Sequence, residues 1–295
     1  MVTSLARPIL ASMRMTLVEP CPALAPYVRR FTLVEADEET TRGLLPEPGV
    51  VLGFRYSGHA RLIEPRGATV LPDFVVTGLR PAARRMCTSA GGGIVVAIFR
   101  EAGAAALFDL PLHELFGASV GLDAFVPGSE LARLGQQLAT ASTARARVAS
   151  VERFLLGRLR PRAGDRLVRA AVEALRSSGG SLRVSELACE LGIGVDRLEK
   201  RFRQAVGASP KQLGSLYRLL RAIELHRSGR SLTRSALEAG YADQSHFIRG
   251  FRAATGEAPR RFLESSAYCG SGENAIDEWL VVPRRAPSAA LGINR

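Results

Sequence analysis

The first hundred residues alternate in short runs. Tyr27–Glu35, Gly49–Tyr56, Ala60–Glu64, Phe74–Leu79 and Gly93–Phe99 are apolar or alternating stretches, and each reads as a strand. Pro46, Pro48, Gly58, Pro65, Gly67, Pro72 and the glycines from Gly91 to Gly93 punctuate them, so a small barrel or sandwich is expected. After Arg100 the apolar spacing becomes helical, over Ala102–Leu110, Glu130–Ala139 and Arg145–Leu159. Pro161 to Gly164 read as a linker. From Asp165 onward the pattern is helical throughout. Leu167, Ala170, Ala171, Val172 and Leu175 form one stripe, ended by Ser177 to Gly180. The expected fold is α+β: a small β-barrel-like N-terminal domain with helices over residues 1–164, an all-α C-terminal domain over 165–266, and a tail over 267–295. Trp279 to Val282 give that tail an apolar segment able to dock.

The C-terminal half repeats itself. Leu187, Ala188, Leu191, Gly192 and Ile193 are followed by Leu198, Phe202, Arg203, Gly207 and Pro210. Ser235, Ala236, Ala239, Gly240 and Tyr241 are followed by Phe247, Phe251, Arg252, Gly256 and Pro259. The offset is 48 residues before the turn and 49 after it, so the second turn is one residue longer. Each copy has the physics of a helix-turn-helix: a small Ala for close approach, a turn glycine, two core residues four apart, a capping glycine and a proline. The opposite face of each second helix then meets solvent. It carries Asp196, Glu199, Lys200 and Arg203 in the first copy. In the second it carries Ser245, Ile248, Arg249 and Arg252, with Gln244 and His246 near the start. Such a helix can enter a major groove with its early residues at base edges. Between the copies, Lys211–His226 reads as one helix with the stripe Leu213, Leu216, Leu220 and Ile223. It is roughly 24 Å long at 1.5 Å per residue, enough to hold two reading helices about one DNA turn apart.

Charge sharpens this picture. The chain of 295 residues carries net +12 at a pI near 10.6, and of its 40 basic residues only Lys200 and Lys211 are lysines. Residues 166–266 hold 18 basic against 10 acidic side chains, a large part of the excess. An acidic polymer is the natural partner of such a segment. No run of 18 apolar residues occurs, and Met1 to Arg14 lack a signal-peptide core, which places the chain in the cytoplasm, off the membrane. Cys21, Cys87, Cys189 and Cys269 form no CxxC pair, against a zinc site or a disulfide framework. Cys189, beside Ala188, reads as a small core residue; Cys21 and Cys87 are either redox sensors or inert. His59 and His113 with Glu114 offer no triad, and Gly91 to Gly93 lead into a strand rather than opening a helix, which suits no phosphate loop. Neither a catalytic residue nor a metal or other cofactor is expected. Arg55, Arg80, Arg84 and Arg85 either line an anion pocket or are solvated.

The stretch Ser185–Leu263 resembles the double helix-turn-helix DNA-binding domain of AraC/XylS-type transcriptional regulators. Gly240-Tyr241-Ala242-Asp243-Gln244-Ser245-His246-Phe247, then Phe251-Arg252, Gly256 and Pro259, match that family's signature. Arg218 and Ala222 match its linker helix. The resemblance implies base-edge contacts at Asp196, Glu199, Lys200, Gln244, Ser245, His246 and Arg249, and backbone contacts at Arg203 and Arg252. It also implies duplex DNA and RNA polymerase as partners, with a small-molecule effector and a homodimer. Gly194 stands where the family has a serine cap, two acids sit on the first reading face, and Leu213 replaces a tyrosine. Glu199 has two readings: a partner that restrains Arg203 one turn away, or an acceptor for cytosine N4. The N-terminal order of strands then helices is similar to the effector domains of such regulators, and Ile94–Phe108 resembles a segment of a poorly characterised subset. The function so implied is a non-enzymatic, sequence-specific transcriptional regulator. The alternative is a small-molecule enzyme or sensor domain fused to a DNA-binding attachment.

Overall fold

The computed structural model describes residues 13–64, 67–160 and 165–264. The expected linker at 161–164, Cys269 and the tail with Trp279 lie outside the described residues. Among the described residues, ten strands form two antiparallel sheets. In spatial order the larger contains β1 (Met13–Val18), β2 (Val28–Ala36), β9 (Gly92–Phe99), β4 (Val51–Ser57), β7 (Phe74–Thr77) and β10 (Ser119–Gly121). The smaller contains β3 (Thr40–Leu44), β8 (Arg84–Thr88), β5 (Ala60–Glu64) and β6 (Gly67–Val70). The sheets remain separate, so the domain encloses a space without closing a barrel.

The period of two along each strand explains the layering. Phe31, Leu33, Phe54, Val95 and Ala97 point from the larger sheet into the main core. There they meet α1 (Gly128–Thr140) and α2 (Ala144–Arg158), with the Phe54 ring 5.8 Å from that of Phe154. The intervening Arg30, Thr32, Val34, Ile94 and Val96 face the smaller sheet instead. Both faces are covered, which is why these strands read as nearly continuous apolar runs. The five expected strands are all present. The other five, β1, β3, β6, β8 and β10, lack that apolar signature. β8 reads Arg-Arg-Met-Cys-Thr, with Arg84 and Met86 turned into the space between the sheets. The helix expected over Ala102–Leu110 is a single 3₁₀ turn, Gly103–Ala106. Gly103 backs onto the Tyr27 carbonyl, leaving no room for a Cβ, and Pro111 disfavours helix in the residue before it.

The second half consists of α3 (Arg166–Ser177), α4 (Val184–Glu190), α5 (Val195–Val206), α6 (Pro210–Arg227), α7 (Leu232–Glu238), α8 (Gln244–Thr255) and α9 (Pro259–Glu264). Its packing is divided. Leu187, Ala188, Leu198, Phe202 and Val206 belong to the same core as the larger sheet. Phe247, Phe251 and Phe262 belong to a second core, to which the N-terminal half contributes Leu45. The linker helix α6 serves both: Leu213 and Tyr217 face the first, and Leu216, Leu219, Leu220 and Ile223 face the second.

A buried carboxylate joins the halves. Glu101, just after β9, accepts from Arg29 at 2.8 Å, from Arg176 of α3 at 2.7 Å, and from the Tyr217 hydroxyl of α6. Burial pushes the Glu101 carboxyl up, but Arg29, Arg176 and the Tyr217 hydroxyl outweigh it and hold it below its ordinary value. Burial and the Glu101 charge push Tyr217 well above its ordinary value.

Candidate nucleic-acid interface

Each repeat folds as a helix-turn-helix. The first is α4, four residues of turn, and α5; the second is α7, five residues of turn, and α8. The extra residue is the one the repeat offset requires. The turn glycines adopt left-handed backbone, with φ of 63° at Gly192 and 88° at Gly240, a region open to glycine at little cost. The residue after each closes the same bond: Ile193 N donates to Ala188 O at 3.0 Å and Tyr241 N to Ala236 O at 3.1 Å. Leu198 and Phe202, or Phe247 and Phe251, are buried. Both reading helices end on left-handed glycines, Gly207 and Gly256, whose amides bond Arg203 O and Arg252 O.

The opposite faces are open. Asp196, Lys200, Arg203, Gln244, Ser245, His246, Arg249 and Arg252 are exposed, and Glu199 is half-buried. Glu199 Oε2 lies 3.3 Å from Arg203 Nη2, one turn away. The helix starts differ. Gly194 caps α5 with no side-chain bond. Asp243 caps α8, its Oδ1 accepting from His246 N at 2.7 Å. That bond from the His246 amide lowers the Asp243 carboxyl from its ordinary value. The His246 ring lies edge-on to Tyr241, centroids 5.3 Å apart, so the side chain beginning α8 rests on the second core.

The two modules meet the β domain by different means. α5 packs over the 3₁₀ turns Gly103–Ala106 and Leu112–Leu115, and a Cβ on Gly207 would stand 3.0 Å from Leu112 O. α8 is held near its C-terminus, where Ala83 N donates to Ala254 O at 2.6 Å. Between α8, α6 and the segment Leu79–Pro81 lies a cavity of about 310 Å³.

Of Arg55, Arg80, Arg84 and Arg85, only Arg85 is exposed. Arg55, Arg80 and Arg84 line a space of about 120 Å³ between the sheets, together with Arg30, Arg42 and Glu47. Arg30, Arg42 and Glu47 escaped the sequence reading because strand alternation identifies which positions point inward only after the register is fixed. Their signal is a charge at an alternate position inside an apolar run, as in Val28–Ala36. Glu101, outside any strand, escaped because its partners Arg29, Arg176 and Tyr217 lie far apart in the chain. Cys189 is exposed rather than in the core, since α4 turns Leu187 and Ala188 inward and Cys189 outward. Cys87 is buried and Cys21 half-buried. Among the described residues, none of the His, Cys, Asp and Glu side chains gather in threes able to hold a metal ion, and no helix is long and apolar enough to cross a membrane.

Comparison with known proteins gives the geometry a family. Residues 187–265 match the helix-turn-helix domain family whose span covers both modules and α6. Residues 187–265 thus form an AraC/XylS-type helix-turn-helix domain. Residues 16–121 match a domain of unknown function (DUF6597). The HTH-type transcriptional regulator ExsA of Pseudomonas aeruginosa is 30% identical over 93 residues, which is 31% of this chain and 34% of ExsA. The chain thus spans about a third of the length of that curated relative. Among solved structures, fatty-acid-bound ToxT of Vibrio cholerae is 14% identical, covering 87% of this chain and 99% of ToxT with a TM-score of 0.46. A DNA-binding transcriptional dual regulator of Escherichia coli K-12 is 27% identical, covering 36% of this chain and 97% of that one with a TM-score of 0.32. The AraC/XylS-type signature Gly240–Phe247 occupies the turn and first helical residues of the second module.

Proposed function

We propose that this chain is a sequence-specific transcriptional regulator that reads two successive major-groove segments of duplex DNA with α5 and α8. The observation that carries this reading is the repetition of one exposed polar face on two equivalent helices, spaced by α6. That helix has 18 residues, or roughly 27 Å. Asp196, Glu199, Lys200, Gln244, Ser245, His246 and Arg249 are assigned to base edges, and Arg203 and Arg252 to phosphates. The varied side chains favour readout over coating, which would need only arginines. We assign residues 165–266 to DNA binding and 1–164 to sensing or dimerisation. RNA polymerase, a small-molecule effector and a second copy of this chain enter this reading from the family resemblance alone. The chemistry-bearing residues offer no constellation that favours an enzyme.

The test is titration of the full chain on cognate and scrambled duplexes across a salt series. Binding should weaken steeply with salt, as expected for about 6 to 10 phosphate contacts. Arg249→Ala should cost about 1–3 kcal/mol on the cognate duplex and relax one base position. Arg252→Ala should weaken both duplexes alike and shallow the salt slope. Equal losses on both duplexes for both variants overturn the division between base and phosphate contacts.

A further inference from the structure

DNA binding does not account for the space between the two sheets. Arg30, Arg42, Arg55, Arg80 and Arg84 converge on it, and Glu47 is the acid among the described residues that line it. Removing charge from water is costly unless a partner of opposite sign compensates. Arg55 is 4% exposed, and its Nε and Nη1 have no hydrogen-bond partner; Arg84 Nε is also unmatched, while its Nη1 and Nη2 donate to the Ser119 and Thr77 hydroxyls. Burial pushes Arg84 down to about 10, and burial with the Arg84 charge pushes Arg80 down to about 9. An anion placed among them would reverse both effects. The remaining walls are mostly apolar, including Val34, Val75, Met86, Ile94 and Ile98, with the Thr32 and Thr77 hydroxyls beside them. A space of about 120 Å³ approaches the roughly 150 Å³ cavity that holds benzene. That suits a compact solute and excludes a long acyl chain.

We propose that this cavity binds a compact organic carboxylate. Its head lies between Arg55 and Arg84, where a guanidinium matches the two carboxylate oxygens. Its short apolar body lies against Val75, Met86 and Ile94. The site gives a ligand class to the sensing role assigned to residues 1–164, and it rests on that reading. Charge decides the class: a neutral sugar or lipid would leave the arginine cluster uncompensated.

Thermal shift and calorimetry on the full chain without DNA test the site, so its failure is separable from failure of the DNA-binding reading. The probes are acetate, butyrate, succinate, octanoate and inorganic phosphate at constant ionic strength. Butyrate and succinate should raise Tm by several degrees, as a ligand bound only to the folded state must, whereas octanoate should not. Arg55→Met should leave the ligand-free Tm unchanged or higher, because it removes a buried guanidinium with two unbonded nitrogens, and weaken carboxylate binding at least tenfold. Arg84→Gln should weaken it similarly, and Arg85→Met, on the same strand but exposed, should bind as the parent does. The proposal fails if no carboxylate shifts Tm, or if Arg55→Met and Arg84→Gln bind unchanged. A response to octanoate or to phosphate as large as that to butyrate overturns the assigned class.

Discussion

The two helix-turn-helix modules share turn, cap and core spacing, yet they belong to different parts of the molecule. The first shares its core with the larger β-sheet: Phe202 and Leu198 lie in one cluster with Phe31 and Leu33. The second closes its own core, where the Phe247, Phe251 and Phe262 rings stack edge-on at 5.4 and 5.2 Å. A short repeat therefore fixes local geometry, while attachment depends on which surface covers the module's outer side. The first module moves with the β domain, and the second is joined to it through Leu45 and a backbone bond near the end of α8.

The largest expected effect separates the two cores. Phe202→Ala and Phe251→Ala should each cost about 3–5 kcal/mol, since both rings are fully buried. The first loss should spread to the β-sheet, and the second should stay in α6 to α9, residues 210–264. Hydrogen exchange read segment by segment distinguishes them. If Phe251→Ala loosens the sheet as much as Phe202→Ala does, the two-core description is broken.

The Glu101 junction sharpens the same contrast. Glu101→Gln leaves Arg29 and Arg176 facing a neutral group and should cost about 3–5 kcal/mol, the usual range for breaking a buried ion pair. Because the folded carboxyl lies below its ordinary value of 4.5, its contribution is present above that pH and is lost as pH falls through the lowered value. Tyr217 is raised above its ordinary 10.0, so its contribution is complete below that pH and is lost as pH climbs through the raised value. Denaturant midpoints across pH should show an acid limb in the parent that Glu101→Gln flattens. An unchanged acid limb refutes this junction as its source.

The smallest effects concern the helix starts. A Cβ on Gly194 meets open space, and its backbone is extended, so Gly194→Ser should stabilise α5 by roughly a few tenths of a kcal/mol. Asp243→Ala should fray α8 and lower Tm, because it removes the bond to His246 N. Amide exchange at Arg197 and His246 measures each; equal responses at both would erase the contrast between the starts.

The repeat was legible because its signal is local: Gly192, Phe202 and Gly207 recur as Gly240, Phe251 and Gly256, and sequence spacing alone locates them. The family signature at Gly240–Phe247 then named the reading face. What stayed hidden depends on pairing distant strands. Arg42 and Arg84 reveal their direction only when β3 lies beside β8, with Leu44 opposite Arg84. Glu101 becomes a junction only when Arg29, Arg176 and Tyr217, far apart in the chain, converge. Solvation suited the arginines from Arg80 to Arg85 as a run of residues. Strand geometry instead turns Arg84 inward and Arg85 outward.

The bond from Ala83 to Ala254 has a consequence in leverage. It grips α8 one residue from its end, leaving ten residues, or about 15 Å of helix, as an arm that turns together with the second core. A rotation of about ten degrees at that grip would carry Gln244 by roughly 3 Å, on the order of one base-pair rise. Ala83 lies between Arg80 and Arg84, which line the space between the sheets. The fulcrum of α8 thus stands at the wall of the arginine cavity, where a small displacement would be magnified at the start of that helix.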